Sequence, residues 1–315
     1  MSAPNAALSP ARPGEAAAPT AYWRRPELWL PKLVLAPSFL ITLVFIYGFI
    51  VWSGYLSFTD SKTLPSFTWV GLEQYQRLWA NPRWLTAISN LGVFAVLYIG
   101  IASVLGLLLA VLLDQRIRAE GTLRTLYLYP MALSFIVTGT VWRWMLDPGL
   151  GLQKVMQDFG FAGFTFDWLV NRDMVIYTVV IAGIWQASGF VMAMFLAGLR
   201  GIDSEMIKAA YIDGATLPRI YWRIIIPQMR PVFLSAFVIL SHLAIKSFDL
   251  VMALTGAGPG YASELPATFM YTHTFTRSQM GLGAASAMMM LMTVAAIMVP
   301  YLYSELRGAR HERRG

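Results

Sequence analysis

Six apolar stretches, near residues 34–56, 88–112, 126–146, 174–198, 232–254 and 282–304, constrain this 315-residue chain more than any other feature. Each reaches the roughly 20 residues that a helix rising about 1.5 Å per residue needs to cross about 30 Å of hydrocarbon. No strand-like alternation competes with them, so each is expected to be a helix, which satisfies its own backbone groups in lipid. At 57% hydrophobic and 13% charged residues, with a mean hydropathy of +0.56, the chain is too apolar for an ordinary soluble domain. The expected fold is all-α: a polytopic membrane protein with six transmembrane helices over residues 31–306.

Residues 1–26 are rich in Ala and Pro and bury too little to fold, so a disordered cytoplasmic tail is expected over 1–30. The apolar segment behind it is too long for a signal peptide's core and is expected to remain as a membrane helix. A basic tail is expected over 307–315. Basic side chains are retained on the cytoplasmic side in short loops. With the N-terminus inside, sixteen basic residues fall in inner segments, among them Arg116, Arg118, Arg200, Lys208, Arg219, Arg223 and Arg230. Only six fall outside: Lys62, Arg77, Arg83, Lys154, Arg172 and Arg277. Both termini, and the loop after the fourth span, are therefore expected in the cytoplasm of a multi-pass inner-membrane protein. The net charge of +7 follows from this placement beside anionic lipid headgroups and calls for no nucleic acid.

The loop over 203–228 reads as a helical finger. Asp203 or Ser204 can cap a short helix, and Asp213-Gly214 supplies a turn in which glycine tolerates a left-handed backbone. Thr216 can cap a second helix with Pro218 in its first turn. Leu217, Ile220, Tyr221 and Ile224 then form one apolar stripe, and Pro227 and Pro231 stop the finger before the next span. The competing reading is an amphipathic helix resting among headgroups.

Three formally charged side chains lie within the spans: Arg143, Lys246 and Asp249. Each costs about 2.5–3.5 kcal/mol at a helix centre on an insertion scale, so none is expected to face lipid unpaired. Arg143, between Trp142 and Trp144, is placed at the outer interface. Lys246 and Asp249 share one helical face with His242 by spacing. That face is either an ion pair between helices or a polar strip along a water-filled pathway. In the fourth span Gln186 offers hydrogen bonds and Phe190 an apolar face, with Trp185 and Ser188 nearby; the same residues also serve helix packing. Cysteine is absent, and the only histidines are His242, His273 and His311. No phosphate-cradling glycine loop, metal cluster or nucleophile-base set is present, so no cofactor and no enzymatic activity are expected.

Lys208-Ala209-Ala210-Tyr211-Ile212-Asp213-Gly214-Ala215, followed by Ile224-Ile225-Ile226-Pro227, resembles the EAA signature of permease subunits of binding-protein-dependent ABC importers. That pattern is Glu-Ala-Ala, three residues, Gly, nine residues and Ile-x-Leu-Pro. Ala209, Ala210, Gly214, Ile224 and Pro227 match in register, while Lys208 replaces the leading Glu and Ile226 the Leu. Ser57-Phe58-Thr59-Asp60 and Val70-Gly71-Leu72 resemble the first outer loop of sugar-importing permeases. Phe248-Asp249-Leu250-Val251 and Gly258-Pro259-Gly260 resemble the end of their fifth span, and Leu243 to Tyr303 is similar to glucose/mannose-type permeases. Alignment with the maltose type places sugar-contacting positions near Gln186, Ala187, Phe190, Ala244 and Ser247.

The resemblance implies an ATP-driven importer of a monosaccharide, glucose or mannose, with the finger inserted into a separate ATPase subunit. It also implies a heterodimer with a second homologous permease subunit, two ATP-binding cassette subunits and a periplasmic or lipid-anchored sugar-binding protein. Two rivals stay open: an ion-coupled secondary sugar transporter using Lys246 and Asp249, and a non-transporting membrane scaffold.

Overall fold

Asn81 and Pro82 start the element around which most of the others pack. Asn81 Oδ1 accepts the Arg83 N–H at 3.0 Å, and Pro82 in the first turn loses no hydrogen bond there. The computed structural model describes residues 26–115 and 118–312, with side-chain surroundings as far as Tyr303. In chain order the helices are α1 (Pro26–Thr42), α2 (Phe49–Leu56), α3 (Glu73–Trp79), α4 (Pro82–Asp114), α5 (Glu120–Leu128), α6 (Phe135–Met145), α7 (Leu152–Asp158) and α8 (Val175–Arg200). They continue as α9 (Ser204–Ile212), α10 (Leu217–Ile220), α11 (Ile226–Gln228), α12 (Arg230–Ile245), α13 (Asp249–Leu254), α14 (Pro266–Tyr271) and α15 (Met280–Glu312). Among the described residues the only β pairing is an isolated Thr59–Trp69 bridge.

Residues 1–52 and 53–315 form two units. In the first, α1 runs through a π turn (Leu43–Gly48) into α2, and every side chain from residue 31 to 52 is exposed. The tail expected before it lies outside the described residues up to residue 25.

Within the second unit α4 and α8 approach closely because small residues face one another. A Cβ on Gly106 would come within 2.6 Å of Val191, and one on Gly183 within 3.2 Å of the Tyr98 ring. Phe94, Tyr98, Met192, Phe195, Leu240 and Leu254 fill the core around that seam.

Among the described residues four helices are long and apolar enough to cross a membrane: Pro31–Leu56, Pro82–Asp114, Val175–Arg200 and Met280–Tyr303. Two bent pairs bring the number to six if each pair is one span. The helix expected over 126–146 is not continuous, since Glu120–Ala132 and Phe135–Met145 meet at 99°. Pro130 opens a 3-10 turn, Leu133 is extended, and the Ser134 hydroxyl accepts the Ile136 N–H at 3.3 Å to begin α6.

The expected helix over 232–254 is also broken. α12 ends at Ile245, Lys246 to Phe248 are non-helical, and α13 begins at Asp249 with its carboxylate favourably placed in the first turn. Pro227 does not stop the finger. It sits inside α11, preceded by a π turn (Tyr221–Ile225) that accommodates its missing N–H, and the bend of 64° comes at Met229.

On the side expected to face outward, the π turn that follows α14 (Thr272–Thr276) holds a buried histidine. His273 is 1% exposed, stacks on Phe269 with centroids 3.9 Å apart, and its Nδ1 lies 3.1 Å from the Phe269 carbonyl. Burial pushes its pKa down to about 4 from the usual 6.5. The unfolded chain takes up this proton below about pH 6.5 and the folded chain only near pH 4, so stability is complete above the first value and lost as pH falls toward the second. The melting midpoint is expected to drop between pH 7 and pH 5 in the wild type. In a His273→Phe variant, measured in parallel, the drop should be smaller.

Candidate functional site

Two places bring together the residues singled out in the sequence. The first is the finger. Asp203 Oδ1 accepts the Glu205 N–H at 2.9 Å and starts α9, and Lys208 Nζ pairs with Glu205 Oε1 at 2.7 Å one turn back. The helix closes with the Asp213 N–H on the Ala209 carbonyl and the Ala215 N–H on the Ala210 carbonyl, both at 3.0 Å, while Gly214 takes φ +77°. Thr216 stands extended ahead of α10, but its side chain makes no capping bond.

Ile220, Ile225 and Met229 are buried and root the finger in the core, with Ala210, Ala215, Tyr221 and Ile224 packed against it. Leu217, expected on the same apolar stripe, is exposed. The finger exposes Lys208, Ala209, Asp213 and Gly214 and two large apolar side chains, Ile212 (86% exposed) before the turn and Trp222 (73%) in the π turn after α10. Ile224 and Pro227 are half-buried at the base. Nearby, Arg200 Nη2 meets Glu120 Oε1 at 2.5 Å and Arg200 Nε meets Asp114 Oδ1 at 3.7 Å, tying the ends of α8, α5 and α4 together.

The second place is a cavity of about 320 Å³ beside the break between α5 and α6, lined by Tyr98, Met131, Leu133, Phe135, Gln186, Ala187, Phe190, Ile239 and Leu243. The break leaves the Leu133 carbonyl without a helical partner, and Gln186 Nε2 donates to it at 2.8 Å. Gln186 is 5% exposed, and its Oε1 has no partner. A smaller cavity of about 30 Å³ shares Phe135 and Leu243 and adds Lys246, Ser247, Phe248, Asp249 and Leu250.

Five of the seven candidate pathway residues thus line one or other of two neighbouring cavities. The other two do not: His242 is exposed and lines neither, and Ala244 is fully buried in the core. The expected common face of His242, Lys246 and Asp249 does not form, because the chain leaves the helix at Lys246. Among the described residues no ion pair joins Lys246 to Asp249, and both are exposed. Trp185 packs edge-on against Trp142, with centroids 5.9 Å apart, outside both cavities.

Two features escaped sequence reading. Arg83 donates through Nε to Glu264 Oε2 at 2.9 Å and through Nη2 to Oε1, and Glu264 is fully buried. Asn90, expected to serve packing, donates to the carbonyls of Ala262 and Glu264 at 2.8 and 3.0 Å. Tyr98 is the other: it stacks on Phe94 with centroids 5.1 Å apart and forms a wall of the cavity of about 320 Å³. No group of three or more metal-ligating side chains occurs among the described residues.

The family described as "Binding-protein-dependent transport system inner membrane component" matches residues 102–308. A chain of Pyrococcus horikoshii described as a probable ABC transporter permease protein is 39% identical over 287 residues, covering 90% of this chain and 98% of that one. The xylose/arabinose import permease protein XacH of Haloferax volcanii is 36% identical over 273 residues, covering 85% of this chain and 86% of its own length. Among solved structures, a bacterial ABC transporter involved in the import of the acidic polysaccharide alginate shares the fold, with a TM-score of 0.76 at 18% identity over 90% of this chain and 96% of that one.

Proposed function

The chain belongs to the family of binding-protein-dependent transport system inner membrane components, and from that premise we propose that it is the permease subunit of an ATP-driven importer of a monosaccharide, glucose or mannose. The chain is a transport subunit and not an enzyme; ATP is hydrolysed on a separate subunit. Its partners are a second, homologous permease subunit, two ATP-binding cassette subunits and a periplasmic or lipid-anchored sugar-binding protein, all assembled at the inner membrane with both termini of this chain in the cytoplasm. Sugar passes by alternating access, and the force enters through residues 204–227.

The observation that carries this reading is the finger. Its tip exposes Ile212 beside a glycine turn, its base is rooted through Ile220, Ile225 and Met229, and the core it enters also holds Leu240 and Leu254 of the helices beside the cavity. A lever needs that combination of free tip and fixed root. The neighbouring cavities hold the polar groups that a sugar stripped of water requires. Similarity to permeases for pentoses and for an acidic polysaccharide leaves the choice of sugar to Leu243–Tyr303 and its likeness to the glucose/mannose type.

Gly214 gives the test. A Cβ there meets no atom within 4 Å, so a substitution acts first through the backbone, where φ +77° costs an L-residue about 1–2 kcal/mol. Gly214→Val is expected to leave the protein in the membrane but to lower co-purification of the ATPase and ATP-dependent uptake by roughly 10-fold or more, as about 1.4 kcal/mol corresponds to tenfold. Intact assembly and uptake in that variant would count against the lever. Uptake that survives ATP depletion but collapses with an uncoupler would favour the ion-coupled carrier.

A further inference from the structure

We infer that the cleft between α3 and the start of α15 is a lipid site, and that it takes the zwitterionic headgroup of an ethanolamine phospholipid. The cleft holds about 350 Å³, and its lining includes Asp60, Lys62, Gln74, Arg77, Arg277 and Ser278. It shares no residue with the two cavities beside the α5–α6 break. Two apolar spans set its depth: Asp60 comes four residues after Leu56, where one ends, and Arg277 three residues before Met280, where another begins. The hairpin and helix that carry the first wall also expose Phe67, Trp69, Leu72 and Trp79. Aromatic rings with an apolar body and a wet edge are favoured at headgroup level.

The walls are held in place by their own hydrogen bonds. The Ser61 hydroxyl accepts the Ser66 N–H at 3.0 Å, and the Ser61 carbonyl accepts the Gly281 N–H at 2.8 Å, which fastens the hairpin to α15. A Cβ on Gly281 would strike the Thr59 carbonyl, so the two segments meet as closely as backbone allows. On the opposite wall the Gln279 N–H donates to the His273 carbonyl at 2.8 Å, and Ser278 takes φ +54°, which sets the turn bearing Arg277.

Charges of both signs in the cleft have capacity to spare. Arg77 is committed to Glu73, with Nη2 2.6 Å from Oε1, and reaches Asp60 Oδ1 only at 3.7 Å, too far for a hydrogen bond. Asp60 otherwise receives Gln74 Nε2 at 3.5 Å, the limit of one. Gln74 is 2% exposed. The Thr59 carbonyl and the Asp60 carboxylate can only accept, so the amide turns its NH₂ toward them and leaves Oε1 without a partner among the described residues. Lys62 and Arg277 are exposed and form no ion pair among the described residues. Two cations therefore lack an anion, and two acceptors, Asp60 and Gln74 Oε1, lack a good donor. A phosphodiester meets the first need through charge-assisted bonds. A primary ammonium, with three donors and no acceptor, meets the second. Neither free cation pairs with Asp60, so the two needs stand apart, as the two carbons of ethanolamine hold its phosphate and amine apart. A choline headgroup has the same charges but no N–H to donate, and a glycerol headgroup brings Asp60 no positive charge.

The test uses the full-length chain, purified with the subunits that accompany it, stripped of lipid in detergent and then titrated while bound lipid is counted by native mass spectrometry. The probes are phosphatidylethanolamine, its N-methyl and N,N-dimethyl forms, phosphatidylcholine and phosphatidylglycerol of one acyl composition, with soluble glycerophosphoethanolamine as competitor. Expected is one tight site for phosphatidylethanolamine, with affinity falling stepwise on N-methylation and at least about 10-fold weaker for phosphatidylcholine. Asp60→Asn keeps the shape and should bring the two lipids to within about 2-fold of each other. Arg277→Gln should weaken both by a similar factor and keep their ratio. A general packing defect would not separate the two variants in this way. Equal affinity for phosphatidylethanolamine and phosphatidylcholine in the wild type, or tighter binding of phosphatidylglycerol than of either, would overturn the inference. So would displacement of the lipid by an equal concentration of glycerophosphoethanolamine, which would make a free solute the occupant. Wild-type lipid binding in both variants, with uptake nonetheless lowered, would also overturn it and give the cleft to a protein docked from outside.

Discussion

Replacing Arg83 with alanine is expected to destabilise the protein by about 3–5 kcal/mol, the cost of breaking a buried ion pair from one side. Glu264 is fully buried and its two carboxylate oxygens face the guanidinium, so truncation leaves an anion with neither water nor a counter-charge. The guanidinium also covers the Tyr261 ring, 5.2 Å from its centroid, and Asn90 bonds the carbonyls on either side of Ser263. One arginine thus fixes the loop between α13 and α14 against the start of α4. At roughly 2–4 °C per kcal/mol, the melting midpoint of purified Arg83→Ala should fall by about 6 °C or more. Adding Glu264→Gln removes the stranded charge and should recover part of that loss. Arg83→Lys should lie between, since an ammonium cannot reproduce the two-point contact. A midpoint for Arg83→Ala within about 1 °C of wild type would show that the carboxylate finds another partner or is neutral.

How much of this architecture the sequence discloses depends on whether its cause is local. Apolar run length announced α4, α8 and α15 because hydrocarbon thickness sets it, and these helices cover the windows expected to within one residue. Asp203 and Gly214 announce the first helix of the finger and its turn, since a cap and a left-handed glycine each act within a few residues. The break before α6 was also written locally, in Pro130 and Ser134, but the apolar run continues across it and hid the stop. The break at Lys246 carries no proline or glycine. Its trace is the polarity of Lys246-Ser247 and Asp249 inside an apolar run, which reads as a helical face when the helix is taken as continuous. Arg83 and Glu264 are 181 residues apart, and nothing local to either marks the pair. Tyr98 looks like one more aromatic in a membrane helix until the cavity beside it is seen.

A bulky side chain at Gly189 is expected to disable both the fold and the cavity. The Cβ of any other residue would stand 1.8 Å from the Tyr127 carbonyl oxygen, 2.7 Å from its carbon and 3.3 Å from Leu128 Cα. All of these are backbone atoms, so no side-chain turn relieves the clash and α8 must part from α5. Overpacking of a well-filled core costs about 1–3 kcal/mol when side chains can adjust, and a backbone clash belongs at or above the top of that range. The segment pushed away leads into Met131 and the Leu133 carbonyl, both in the cavity wall, and that carbonyl holds Gln186. Gly189→Val should therefore lose at least about 3 kcal/mol of stability and, where protein survives, lose uptake. Gly92→Ala is the control: its Cβ meets nothing within 4 Å, and alanine in a helix interior gains about 0.5–1 kcal/mol over glycine. If Gly189→Val melts and transports like Gly92→Ala, α5 and α8 are not in contact in the working transporter, and the Leu133–Gln186 bond that shapes the cavity cannot hold either.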